Sequence, residues 1–299
     1  MLNKVVVIGV GLIGGSFALA LKKAGAVGEV VGMGRSAASM QRALELGIID
    51  SVTTSAQDAM RGASLVLIAA PVAQTQAILA SLAPCLEEGT VVTDAGSTKS
   101  DVVAAARAAL GDKVGQFVPG HPIAGRESNG PEAAIVDLYV GKKTVLTPLA
   151  ENRPGDIELV AAAWQTCGAV IHRLTPQEHD KVFAAVSHLP HLLAFALVDD
   201  IANKPHADLL FQYAASGFRD FTRIAGSSAE MWRDISLANR DALLGELDAY
   251  LAQLTVLRAK LADSDGAAIE AVYANARRAR RAWTGEIEKA EQPVPRTAE

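Results

Sequence analysis

Apolar residues in the first 173 positions fall into short, nearly unbroken runs separated by Ala- and Leu-rich stretches with helical spacing. The runs are Val5–Gly9, Glu29–Gly32, Leu65–Ala70, Thr90–Asp94, Gln116–Val118, Thr144–Thr147 and Ala169–His172. Because they are apolar throughout rather than on alternate residues, they suit strands buried on both faces. The alternation with helical stretches predicts an α/β domain over 1–173, in which helices cover both faces of a parallel, doubly wound sheet.

Past Leu174 the strand signal stops, and the pattern predicts an all-helical domain over 174–290. Thr175-Pro176 opens it with a capping threonine and a proline suited to the first helical position. Pro190 lies inside the helical pattern, where its missing N–H predicts a kink beside two histidines. Leu243, Leu247, Tyr250, Leu254, Leu257 and Leu261 then recur at alternating spacings of three and four. Such an apolar seam needs a partner helix, from this chain or from a second copy in a homodimer. The tail over 291–299, with Pro293 and Pro295, is expected to be disordered.

The chain has 299 residues, half of them hydrophobic, so disorder throughout is excluded. Its net charge of −5 argues against a nucleic-acid partner, and Arg277, Arg278, Arg280 and Arg281 read as one solvated helix face. Cys85 and Cys167 stand far apart with no metal-ligand spacing, so no metal is expected and a reducing cytoplasm fits. Val5–Leu21 has the apolarity of a signal peptide, but its glycines sit where a strand–turn–helix needs them. No other uncharged run is long enough to cross a bilayer, so no membrane partner is expected.

Gly9-Val10-Gly11-Leu12-Ile13-Gly14 places GxGxxG between a strand and a helix, the context of a Rossmann-type dinucleotide site. Gly9 permits the tight turn, Gly11 lets a pyrophosphate approach the backbone, and Gly14 lets helix and sheet pack closely. The second run ends in Gly32-Met33-Gly34-Arg35-Ser36, without the carboxylate that would bind a free ribose 2′-hydroxyl. Gly34, Arg35 and Ser36 therefore point to a 2′-phosphate, hence to NADP in preference to NAD, while Ser36 also suits a helix cap. Ala70 and Pro71, closing the third run, are placed beside the same cofactor.

Five motifs carry the remaining chemistry: GVGLIGGS at 9–16, DAGSTK at 94–99, GHPIAGRE at 120–127, EHDKVFAAVSHLPH at 178–191 and GFRDFTRIAGSSAEMWRDI at 217–235. In order and spacing they resemble the prephenate/arogenate dehydrogenase family of tyrosine biosynthesis, over about residues 4–262. That resemblance implies a metal-free oxidative decarboxylation: hydride leaves C4 of a cyclohexadienol, the ring carboxylate departs as CO₂, and aromaticity drives the reaction. His121, in what reads as a turn, matches the histidine that removes the C4 hydroxyl proton, a role suited to a neutral imidazole. Ser97 matches the serine that orients this hydroxyl, and also reads as a helix cap. Arg223 matches the arginine that clamps a substrate carboxylate.

By the same resemblance Ser187, His188 and His191 line the substrate pocket, although a structural hydrogen bond suits His188 equally well. Asp180 and Glu127 correspond to acids of an ionic network around the arginine and the entrance. Trp232 corresponds to a wall residue supplied by the partner subunit, or to an ordinary core tryptophan, and Gly217 would admit a close backbone approach. His191 as a hydrogen-bond donor favours the keto acid prephenate over the amino acid arogenate, with use of both left open. No fused chorismate mutase or regulatory module is expected, so tyrosine would inhibit by competing at the active site. Two other readings compete: a β-hydroxyacid dehydrogenase, which would use a catalytic lysine where Lys181 has no supporting motif, and an NADP(H) sensor without turnover.

Overall fold

The computed structural model describes residues 1–126 and 128–290; Glu127 and the expected tail at 291–299 lie outside the described residues. Two compact units, Met1–Leu243 and Leu244–Glu299, divide the chain.

The first unit opens with β1 (Leu2–Ile8), α1 (Leu12–Lys23), β2 (Val27–Met33), α2 (Ala37–Glu45), β3 (Ser51–Val52) and α3 (Ala56–Met60). It continues with β4 (Leu65–Ile68), α4 (Thr75–Leu82), β5 (Val91–Asp94), α5 (Ser100–Leu110) and β6 (Phe117–Val118). These strands form a parallel sheet in the order β3-β2-β1-β4-β5-β6, reversing direction of growth between β1 and β4. Alternate residues serve opposite faces. Val5, Val7, Leu65 and Leu67 pack with Phe17, Leu21 and Trp164, while Val6, Ile8, Val66 and Ile68 pack with Leu79, Leu82 and Val102. A core on each face accounts for the unbroken apolar runs.

The expectation of one sheet holding every strand is corrected. β7 (Gly120–Pro122), β8 (Lys143–Leu146) and, after α6 (Pro154–Thr166), β9 (Val170–Arg173) make a separate three-stranded sheet. β7 and β8 run antiparallel and β8 and β9 parallel. Pro119 brings no N–H to a ladder, and the Gly120 N–H is drawn to the Asp94 carboxylate at 3.0 Å, so the chain leaves the first sheet there. His121 consequently lies on a strand, opposite Val145, and not in a turn.

Beyond Arg173 the described chain is helical: α7 (Pro176–Phe183), α8 (Leu189–Ala202), α9 (Ala207–Gln212), α10 (Ser216–Thr222), α11 (Ala229–Ala238), α12 (Arg240–Ala262) and α13 (Gly266–Ala290). Thr175 and Glu178 cap α7 reciprocally. The kink expected at Pro190 is absorbed differently: a π-helical turn at Ala184–His188 joins α7 to α8 as one helix, Pro176–Ala202. Widening the preceding turn accommodates the missing N–H and the ring of Pro190 without ending the helix. By length and composition this helix could cross a membrane, which corrects the expectation that no further segment could. Its polar residues Asp180 and His188, however, are bonded to Lys99, Ser100 and Asn239 of the same unit.

Secondary structure changes type after Arg173, yet the compact unit continues to Leu243. Ile235 and Trp232 of α11 pack with Val72 beside the second core face, tying these helices to the sheet. In the second unit, Ser264 takes a positive φ of 55° in the turn before α13, and the Asp265 carboxylate accepts from the Ala268 N–H at 3.0 Å. Tyr250, Leu254 and Leu261 of the predicted seam are exposed.

Candidate active site

The end of β1 and the start of α1 form the dinucleotide cradle. Gly9 has φ +95°, and a Cβ there would lie 2.6 Å from the Ala69 carbonyl oxygen. A Cβ on Gly14 would strike the Gly9 carbonyl and the Val7 side chain, so helix and strand touch at that point. At Gly11, in contrast, a Cβ would meet nothing within 4 Å. Gly11 caps α1 without a side-chain hydrogen bond, and the first turn, which includes Leu12 and Ile13, holds no acid. Open space beside the positive end of a helix dipole, at the point where strand order reverses, fits a pyrophosphate. Ala70 and Pro71 follow β4, with the Ala70 amide beside Gly9. At the end of β2, Gly34 packs on Met40, Ser36 caps α2 by accepting from Ser39 N–H at 3.2 Å, and Arg35 is exposed.

The second half of the site is a buried polar cluster around His121. His121 Nδ1 lies 2.8 Å from His179 Nε2, and His179 Nδ1 lies 2.8 Å from Asp180 Oδ1. An ionised carboxylate only accepts, so His179 donates from Nδ1, its Nε2 accepts, and His121 donates from Nδ1. The free lone pair of a neutral His121 is then on Nε2. Burial first, then His179, Lys99 and His188, hold the His121 pKa well below its ordinary value, which keeps the ring neutral. Phe183 is wedged against both rings, at centroid distances of 4.8 Å from His121 and 4.4 Å from His179.

Asp180 serves a different purpose from the one expected. Instead of joining an ionic network around an arginine, its carboxylate accepts from Lys99 N–H at 2.8 Å and Ser100 N–H at 2.7 Å. It thereby caps α5 from a distant helix, satisfying donors that the helix itself leaves open. Burial raises its pKa, but hydrogen bonds from His179 and the two amides prevail, and it lies below the ordinary value. Ser97 does not cap α5, whose N-cap is Lys99; it sits half-buried in the preceding loop. Lys99 is wholly buried and pairs with Asp94 at 2.5 Å, while Asp94 also accepts from the Gly96 and Gly120 amides.

On the other side, the Asn239 side-chain amide donates to the Asp180 carbonyl at 2.8 Å and to His188 Nδ1 at 3.0 Å. His188 therefore carries its proton on Nε2, a buried atom near the Ser97 carbonyl that no hydrogen bond satisfies. Burial lowers its pKa to about 4, helped by His179. His191 donates from Nδ1 to the Ser187 carbonyl at 2.8 Å, so the neutral ring presents an acceptor at Nε2. That corrects the expectation of His191 as a donor, which holds only for the protonated ring. Burial lowers its pKa, the Ser187 carbonyl opposes this, and the charge of Arg223 lowers it further.

His191 stacks on Trp232 at a centroid distance of 3.5 Å and an interplanar angle of 19°. Trp232 thus reaches His191 within its own chain. Arg223 begins a short 3₁₀ turn after α10, and Gly217, exposed on α10, has open space where a Cβ would be.

His121, Ser97, Asp180, Ser187, His188, His191 and Trp232 therefore belong to one connected region, with Arg223 acting electrostatically on His191. Sequence reasoning passed over His179, Lys99, Asp94 and Asn239. His179, Lys99 and Asp94 lie inside the quoted motifs, within three residues of Asp180 or Ser97; Asn239 had no signal, being a polar residue at a helix end.

Comparison with known proteins agrees with this arrangement. Residues 17–173 match the family model described as prephenate dehydrogenase, nucleotide-binding domain, and residues 175–273 match prephenate dehydrogenase, dimerization domain. The cyclohexadienyl dehydrogenase of Zymomonas mobilis is 37% identical over 264 residues, covering 88% of this chain and 89% of that protein. The crystal structure of prephenate dehydrogenase from A. aeolicus, in complex with hydroxyphenyl propionate and NAD+, is 37% identical with a TM-score of 0.88, covering 94% of this chain and 98% of that one. The Synechocystis arogenate dehydrogenase structure is 27% identical with a TM-score of 0.79, covering 94% and 99%. A dinucleotide cradle and a buried, neutral histidine accompany two matching domains along nearly the whole chain, and this protein belongs to the prephenate/cyclohexadienyl dehydrogenase family of oxidoreductases.

Proposed function

We propose that this chain oxidatively decarboxylates prephenate, arogenate or both, giving 4-hydroxyphenylpyruvate or tyrosine. The observation that carries the reading is the tautomer of His121: a buried, neutral ring whose Nε2 lone pair is left for a substrate hydroxyl. Gly9, Gly11 and Gly14 would hold the dinucleotide, which when bound supplies the hydride acceptor. His121 takes the C4 hydroxyl proton, and Ser97 orients that hydroxyl. Arg223 clamps a carboxylate, and His188 sits behind the pocket with its buried Nε2–H toward the Ser97 carbonyl. Ser187, His191, Gly217 and Trp232 line the pocket.

Acceptance at His191 Nε2 suits the ammonium of arogenate, whereas a protonated ring suits the keto acid, so both substrates are assigned. NADP is preferred over NAD because β2 ends in Arg35 and Ser36 without a carboxylate. The protein works as a homodimer built on its helical region, in the cytoplasm, where Cys85 and Cys167 stay unpaired. Tyrosine competes with substrate at the active site. Following reduced cofactor with each substrate and each dinucleotide tests these assignments together. Turnover of neither substrate sinks the function, and a kcat/KM higher with NAD than with NADP sinks the cofactor preference. Tyrosine inhibition that excess substrate does not relieve sinks the competitive mode.

A further inference from the structure

His121 faces a difficulty as a base. Burial, His179, Lys99 and His188 all oppose a positive charge on it, yet taking a proton creates one. The chain of bonds behind it offers a way out. His179 accepts from His121 and donates to Asp180, each at 2.8 Å. Asp180 cannot swing away, because the Lys99 and Ser100 amides hold both of its oxygens. Phe183 packs on both imidazoles and fixes their mutual tilt of 60°. The groups facing this pair are Lys99 with its partner Asp94, His188, and Asp180.

We propose that His179 is a positioning residue and second proton acceptor for His121, in a relay that stops at His179 and is anchored by the Asp180 carboxylate. The inference rests on the reading above that His121 Nε2 takes the hydroxyl proton. Protons balance along the relay. The substrate O–H bond breaks as an Nε2–H bond forms on His121, while the His121 Nδ1 proton passes to His179 Nε2. His121 ends neutral with its proton on the other nitrogen, and His179 ends as an imidazolium against a carboxylate. The hydride leaves to the acceptor that the dinucleotide supplies, and the electron pair of the breaking C–C bond to CO₂ completes the aromatic ring as a phenolate. The proton then returns from His179 through His121 to that oxygen, which gives the phenol and restores both tautomers.

The test uses the full-length enzyme with His179→Gln, whose side-chain carbonyl can still accept from His121 but cannot take a proton. His121→Gln serves as the control for the parent reading. The relay predicts that His179→Gln lowers kcat by about tenfold to a hundredfold, with substrate KM within about twofold. Its acid limb of log kcat against pH should move to higher pH, because a neighbour that depresses the His121 pKa is gone. Imidazole ¹⁵N NMR of the unliganded wild type should find neutral His121 and His179 protonated on Nδ1 and His188 on Nε2.

Wild-type kcat and an unmoved acid limb in a folded His179→Gln overturn the relay, provided His121→Gln is inactive. An active His121→Gln instead overturns the parent reading. Nε2 protonation of neutral His121 in the NMR spectrum overturns the relay by itself, and decides the matter if His179→Gln does not fold.

Discussion

The Lys99 ammonium lies 2.5 Å from an Asp94 carboxylate oxygen, with 0% and 2% of the two side chains exposed. Asp94 also holds the Gly96 and Gly120 amides, so it links the end of β5 to the strand that carries His121. Removing one partner leaves the other charge buried. Lys99→Met should cost about 3–5 kcal/mol of folding stability. It should also raise the His121 pKa, since Lys99 is one of the charges depressing it. Urea denaturation of the two proteins checks the first outcome; a loss under about 1 kcal/mol would mean that water reaches the pair.

Gly11 and Gly14 should respond differently to the same added methyl. Gly14→Ala drives a Cβ into the backbone of Gly9 and should destabilise the fold. Gly11→Ala meets only open space, so its melting temperature should stay within a few degrees while dinucleotide affinity falls. Calorimetric titration of the folded Gly11→Ala protein decides the point. Unchanged affinity would remove the pyrophosphate from this cradle.

Acid should destabilise this protein before its carboxylates titrate. His188 has a pKa of about 4 in the fold against an ordinary 6.5, so the unfolded chain binds more protons between those values. Stability is therefore full above about pH 6.5 and declines as pH falls toward 4, by up to about 3 kcal/mol from this residue. His121 and His179, also depressed, add in the same direction. Asp180, held below its ordinary 3.8, adds a loss only at lower pH still. Denaturation midpoints measured from pH 7.5 to 4.5 should fall, and His188→Gln should flatten the slope. A flat profile in the wild type would contradict the buried, neutral histidines.

His121→Ala and Arg223→Ala should separate chemistry from binding. Proton removal develops in the transition state, so His121→Ala should lower kcat by about a hundredfold or more with little change in KM. Arg223→Ala should chiefly raise substrate KM, by about tenfold or more, as loss of a charge-assisted bond implies. Steady-state kinetics on both variants give the comparison. Similar changes in both parameters for both proteins would undo the division of roles.

Local chemistry made much of this protein legible from its residues alone. Unbroken apolar runs announced strands buried on both faces, because each strand needs only its own sequence to declare where water is absent. GxGxxG between a strand and a helix located the cradle, since a tight turn and a close helix contact are demands on consecutive residues. The resemblance pointed to His121, Arg223 and several of their neighbours, but not to His179 or to the hydrogen bonds that join them.

Only the tertiary structure decided what Asp180, His179 and Trp232 do. Asp180 caps a helix 80 residues earlier in the chain, and His179 meets His121 across 58 residues. Whether a helix acid is solvated, paired or capping depends on which element packs over it, and periodicity within the helix carries no trace of that. The same holds for the sheet that breaks at Pro119 and for the π turn before Pro190, where a proline's missing N–H permits several outcomes and packing selects one. Imidazole tautomers lie furthest from the sequence, because each is set by a hydrogen bond to a partner that only folding supplies.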